Sequence, residues 1–170
     1  MTKWIALFAF VLLPAGLVFG QAVNGELTAN GGQRVRLTNV AAYEVDSTSE
    51  RGYMDVVVVL SDRALTREEV LTTGKLEELV KKNGLTALRV VLDPNCKVKS
   101  ASPFHPAFTN YISSAAFVTW KPGTYDEKQI AGRLYTDGER EFIGQKWSFD
   151  ITFATPITLD PQAKTLPKKE

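Results

Sequence analysis

The sequence predicts a mainly β protein, an immunoglobulin-like antiparallel β-sandwich carrying one helical insertion. Three observations predict it. Short apolar or alternating segments recur between turns marked by Gly, Pro and Asn. A single stretch, 66–83, has helical spacing. The segment Trp147 to Phe153 sets Trp147, Phe149, Ile151 and Phe153 on one side and Ser148, Asp150 and Thr152 on the other. That period of two belongs to a strand with one face on a core and one in water.

The chain opens on Met1-Thr2-Lys3, a short start with one positive charge, followed by an apolar run from Trp4 to Leu13, a break at Pro14-Ala15-Gly16, and Leu17 to Ala22. This is the order of a cleavable secretory signal, expected over 1–22. Gly20 and Ala22 suit a cut before Val23; Val18 and Gly20 suit one before Gln21. The uncharged stretch Trp4–Phe19 falls short of the roughly 18 residues that span a bilayer, and Pro14 and Gly16 interrupt it. A permanent anchor is therefore disfavoured, and no cysteine near the cut offers a lipid attachment. One domain is expected over 23–160, with a flexible basic tail at 161–170.

Within the domain, Glu26–Ala29 and Arg34–Ala41 read as extended segments around the hairpin turn Asn30-Gly31-Gly32, whose residues tolerate positive φ. Polar 46–52 reads as a loop. Val56–Leu60, four valines and a leucine, is too short for a helix and too apolar for a half-wet strand, so it should be a central strand covered on both faces. Thr66-Arg67-Glu68-Glu69 is a capping-box pattern opening the helical stretch, with Asn83-Gly84 as its stop and Gly74 as the expected division. Leu88, Val90 and Leu92 alternate toward a turn at Asp93-Pro94-Asn95, with a return strand over Lys97–Ala101. Ala115–Trp120 reads as a strand ended by Lys121-Pro122-Gly123. Ile130, Gly132 and Leu134 follow in another, then a turn at Thr136-Asp137-Gly138-Glu139 and the Trp147 strand, limited by Pro156. The alternative is an α+β domain in which Val56–Leu60, the helix and Leu88–Asp93 form one parallel βαβ crossover.

Gly25-Glu26-Leu27 with Asn30-Gly31-Gly32, Val57-Val58-Val59-Leu60-Ser61-Asp62-Arg63, Gly132-Arg133-Leu134 and Trp147–Phe153 resemble small exported bacterial β-domain proteins of uncharacterised function. The resemblance implies an exported compartment, periplasmic or extracellular, and brings no activity.

Composition excludes more than it assigns. The 20 Lys and Arg balance 19 Asp and Glu, and only Lys3 lies in the signal, so the domain lacks the basic footprint of a nucleic-acid binder. Cys96 is the single cysteine, which leaves no internal disulfide, and the domain must hold together by packing. His105 is the single histidine, so no His-paired zinc motif exists. No G-x-S-x-G elbow is present, and the Asn30-Gly31-Gly32 turn leads to a strand rather than to a helix that could hold a phosphate. No cofactor is expected. A carboxylate-pair hydrolase is the enzyme reading that survives on composition.

Two features stand out as binding candidates. Phe104 and His105 sit in a loop stiffened by Pro103 and Pro106; Trp120 and Tyr125 surround Lys121-Pro122-Gly123. Aromatics held in stiff loops can stack on sugars or anchor a protein at low ordering cost. Against this stands ordinary core filling for each. The expectation is an exported, non-enzymatic binding or interaction module, its partner another envelope or extracellular protein or a carbohydrate, with no stable membrane insertion after cleavage. The alternative is a structural or accessory subunit of an envelope assembly, joined through an exposed strand edge.

Overall fold

A computed structural model describes residues 21–159. The expected signal lies outside this range except for Gln21 and Ala22, and the tail 161–170 lies wholly outside it. The described chain forms β1 (Ala22–Ala29), β2 (Gln33–Arg36), β3 (Asn39–Asp46), β4 (Met54–Ser61), α1 (Arg67–Leu71), α2 (Thr73–Asn83), β5 (Ala87–Leu92), β6 (Val98–Phe104), β7 (Thr119–Tyr125), β8 (Gln129–Tyr135), β9 (Arg140–Phe142) and β10 (Gln145–Thr158). One layer runs β2-β1-β10-β8-β7, with β9 on the start of β10; the other is the meander β3-β4-β5-β6. These layers make a β-sandwich with a helical insertion. β10 joins them: Ala154 pairs with Ala22 of β1, and farther on Ile157 and Thr158 pair in parallel with Ala42 and Tyr43 of β3.

The inter-sheet core takes Leu27, Val40, Val56, Val58, Leu60, Leu88, Val90 and Leu92, along with Ile130, Leu134 and the row Trp147, Phe149, Ile151, Phe153. The odd-numbered valines of β4, Val57 and Val59, turn the other way and pack with Val70, Leu76, Val80, Leu85, Ala87 and Phe104 in a second core beneath the helices. β4 is thus covered on both faces, as its unbroken apolar run requires. Each of these fully buried side chains contributes roughly 1.5–3 kcal/mol over an exposed one. The layers are therefore sheet, sheet, helix.

The helical insertion begins as the sequence predicts. The Thr66 hydroxyl accepts from the Glu69 N–H, and the Glu69 carboxylate accepts from the Thr66 N–H at 2.7 Å. It ends at Gly84, left-handed at φ 65°, whose N–H donates to the Val80 carbonyl. The division between the helices falls at Thr72 rather than Gly74, where an extended ψ of 107° turns the chain. The parallel crossover does not occur: β4 and β5, the strands the helices connect, are antiparallel neighbours with Val58 opposite Val90.

Three expected boundaries move, each for a local reason. The segment 34–41 is two strands, because the chain changes sheets at Leu37 and Thr38. The Leu37 N–H donates to Gly25 of β1 and the Thr38 N–H to Ser61 of β4. The strand expected over Ala115–Trp120 starts only at Thr119, because 115–118 form a turn closed by the Val118 N–H donating to the Ala115 carbonyl, and it continues through Lys121-Pro122-Gly123; a bulge between Pro122 and Thr124 accommodates the proline on an edge strand. Pro156 does not limit β10. The Ile157 N–H donates to Lys128 beside β8, so the nitrogen of Pro156 faces the other way, where β1 has already ended.

Gly25 is required where it stands. At φ 149° its Cα lies directly on the β10 backbone, and a Cβ would collide with the Asp150 carbonyl and Ile151 Cα. Among the described residues no helix is long and apolar enough to cross a membrane.

Candidate functional site

The three candidate aromatics and the imidazole divide between opposite ends of the sandwich. Phe104 pairs with Ala87 at the start of β5, whereas Trp120 reaches the turn that follows the end of β5.

At the first end Phe104 is fully buried in the core beneath the helices and stacks on Tyr111 at 5.2 Å between ring centroids. His105 is buried too. Its Nδ1 accepts the Ala107 N–H at 3.0 Å and its ring lies 5.6 Å from Phe108, which meets Trp147 edge-on. Burial pushes the His105 pKa down, with Asp62 opposing more weakly. Asn30 locks this loop to the first sheet, donating to the Ala107 carbonyl and accepting from the Lys146 N–H. Pro103 and Phe104 belong to β6 rather than to the expected loop, because β5 pairs with them; the segment that follows closes the core, and neither Phe104 nor His105 is presented to solvent.

At the second end Trp120 and Tyr125 are half-buried and face the same side. Five residues apart on a regular strand they would point oppositely; the bulge at Gly123 adds the residue that realigns them. Trp120 lies over Gly132, where even a Cβ would collide with its ring, and stacks on Phe153 at 5.6 Å. Gly132 and Phe153 are directly paired, so the missing side chain opens the slot that the indole fills. The indole Nε1–H then points across the sandwich to the Cys96 sulfur at 3.3 Å.

Cys96 is held there by its turn. The Asp93 carboxylate accepts the N–H groups of Asn95 and Lys97, and Cys96 adopts a left-handed φ of 60° that brings its sulfur to the rim. Burial raises the thiol pKa, the Trp120 hydrogen bond lowers it, and Asp93 raises it. The Tyr125 phenol is pushed up to about 12, by burial first and then by Cys96, Glu44, Asp93 and Asp55. Glu44 is itself raised, by burial and then by Glu127. Tyr125 is therefore a neutral hydroxyl at any physiological pH, set beside acidic acceptors and the edge of an indole. The arrangement sets a neutral phenol and the edge of an indole near carboxylates, and burial raises the pKa of the thiol beside them, which disfavours its reactive thiolate form.

Sequence reasoning missed two polar features. Asp55, at the end of the valine run, is buried and paired with Lys99 at 2.6 Å; Lys99 also donates to Thr48 and Ser49 of the β3–β4 loop. An acid preceding an apolar strand was the available signal. A groove of about 120 Å³ lies between β3 and the chain entering α1, with Asn39, Tyr43, Ser61 and Leu65 among its lining. Among the described residues no group of three or more potential ligands is arranged to hold a metal ion.

No known protein family matches the chain, nor does any curated protein or solved structure.

Proposed function

We propose that this protein is an exported, non-enzymatic binding module that receives its ligand at the Cys96–Trp120–Tyr125 end of the sandwich. The observation that carries the reading is the contrast in access: of the four candidates, Trp120 and Tyr125 share one half-exposed surface, and Phe104 and His105 are sealed. An aromatic edge, a neutral phenol and the acidic groups Glu44 and Asp93 favour a hydroxylated ligand such as a carbohydrate, or a basic side chain of an envelope protein. Two packed β layers with connections at their ends support an immunoglobulin-like reading, an arrangement in which end loops bind.

Assembly through a strand edge has less support. β2 is four residues long and carries Arg34 and Arg36, β7 carries Lys121, Pro122 and a bulge, and Ala101 of β6 exchanges hydrogen bonds with Ser114. These are devices that discourage strand addition.

The test is capture from the protein's own envelope fraction, with the wild type compared against a Trp120→Ala, Tyr125→Ala double variant. The retained material should be lost with the double variant and kept by Lys81→Ala, a substitution on the far helix. Equal retention by all three would overturn the reading. Full-length protein with an intact 1–22 segment, recovered from the cytosol, would overturn its exported part.

A further inference from the structure

The outer face of the β3–β6 sheet carries a separate feature. Along β5, Leu88, Val90 and Leu92 point into the inter-sheet core, so Ala87 and Arg89 point toward the helix side. Arg89 stands between Val59 of β4 and Ser102 of β6 in the ladder. Arg89 is half-buried: its Nε is closed off from solvent with no hydrogen-bond partner, and its terminal nitrogens, which are not sealed in this way, bond to no described residue either. Burial alone pushes its pKa down; no neighbouring carboxylate opposes the shift.

The treatment of Lys99 on the adjacent strand makes the contrast. Lys99 receives a buried carboxylate and two hydroxyls, which is how a protein compensates for removing a cation from water. Arg89 receives none of these. A half-buried guanidinium without a counter-ion is costly, and its two terminal nitrogens form a planar pair of donors suited to the oxygens of a bound anion. Beside it, Ser102 lies directly across the ladder, and Ser100 lies two residues before it on the same face, opposite Val91. Directly paired residues place their Cβ atoms roughly 4.5–5.5 Å apart, so the Ser102 hydroxyl shares with the Arg89 stem the surface that the guanidinium leaves along. No other described residue hydrogen-bonds to either serine hydroxyl.

We propose that Arg89, with the hydroxyls of Ser102 and Ser100, is the binding site of a tetrahedral oxyanion such as a phosphate group. The guanidinium takes two oxygens and the serines donate to a third, completing the charge that the fold leaves open. This site is on a different surface from the Trp120–Tyr125 end and does not rest on the function proposed there.

The test titrates the protein with inorganic phosphate at constant ionic strength and follows the Arg89 Nε–Hε resonance and the thermal midpoint. A saturable shift at Arg89 and a phosphate-dependent rise in Tm are expected. Arg89→Met should abolish both while leaving the phosphate-free Tm unchanged or higher, because it removes an unpaired charge and keeps the apolar stem. Arg89→Lys and Ser102→Ala should each weaken binding several-fold, and they decide the matter if Arg89→Met fails to fold. Methyl phosphate distinguishes the source: equal binding assigns the site to a phosphoryl group on a larger ligand, weaker binding to the free ion. No shift at Arg89 across the millimolar range, or the same shift with chloride, would overturn the proposal.

Discussion

The two ends of the sandwich are built from the same kinds of residue and reach opposite outcomes. At one end Phe104, His105, Phe108 and Tyr111 interlock, and Asn30 ties the loop down from the other sheet. At the other, Trp120 and Tyr125 pack on one side only, and their remaining surfaces meet solvent, a thiol and a set of carboxylates. The difference lies in how the chain crosses between sheets. The 105–118 segment folds over the first end and hydrogen-bonds to β6 through Ser114. At the second end the tight Asp93–Cys96 turn brings too few atoms to cover the indole and phenol opposite. Aromatic content alone does not leave a surface open; the length of the connection across that end decides it.

The two ends should differ most in stability. Phe104→Ala should cost about 3–5 kcal/mol, the range for a large side chain removed from a closed core, read from urea unfolding. Tyr125→Ala should cost clearly less because one side of its ring is already wet. Equal losses would remove the distinction between the ends.

Gly132→Ala tests whether the second end depends on the slot. Its Cβ would displace the Trp120 ring, at about 1–3 kcal/mol for overpacking. The displaced indole should show red-shifted fluorescence and reduced ligand capture, with the Phe104 end unchanged in its amide protection.

A smaller effect sharpens the thiol chemistry. Trp120→Phe keeps an aromatic ring on Phe153 but deletes the N–H that donates to Cys96, costing about 0.5–1.5 kcal/mol. Because that bond holds the thiol pKa down against burial, the rate of alkylation by iodoacetamide should shift to still higher pH. A shift to lower pH would show that the sulfur is not the acceptor.

The smallest concerns pH. His105 has a lowered pKa in the folded chain, so the unfolded chain binds the proton more tightly. Stability should be fully present above the ordinary histidine pKa of about 6.5 and decline as pH falls below it. His105→Gln should flatten that part of the stability–pH curve. An unchanged curve would mean that the imidazole is not sealed.

Much of the fold was legible because local chemistry and tertiary structure agree. The alternation of Trp147 to Phe153, the two-sided apolarity of Val56–Leu60 and the Thr66–Glu69 capping box each encode their own element, and the structure places all three as expected. The misplaced boundaries share another cause. Pro122 and Pro156 read as breakers, yet each stands where its strand has no partner for the missing N–H or has a bulge. Sequence gives the identity of a proline but not which side of a strand is vacant.

The candidate site was half legible. Trp120 and Tyr125 were visible as aromatics around a turn-like tripeptide. Their convergence required the Gly123 bulge, and their accessibility required knowing what covers the opposite end. Asp55, Arg89 and Cys96 owe their interest to strands far away in the chain that supply or withhold a partner.

The strand-rich class, the helix with its caps and the doubly covered strand are written in residues close together in the chain, and a single cysteine is enough to rule out an internal disulfide. Only the tertiary structure decided which end of the sandwich is closed, which buried charge has a counterion and which aromatics reach solvent. Those properties depend on what packs against a residue from tens of positions away, and no local pattern records it.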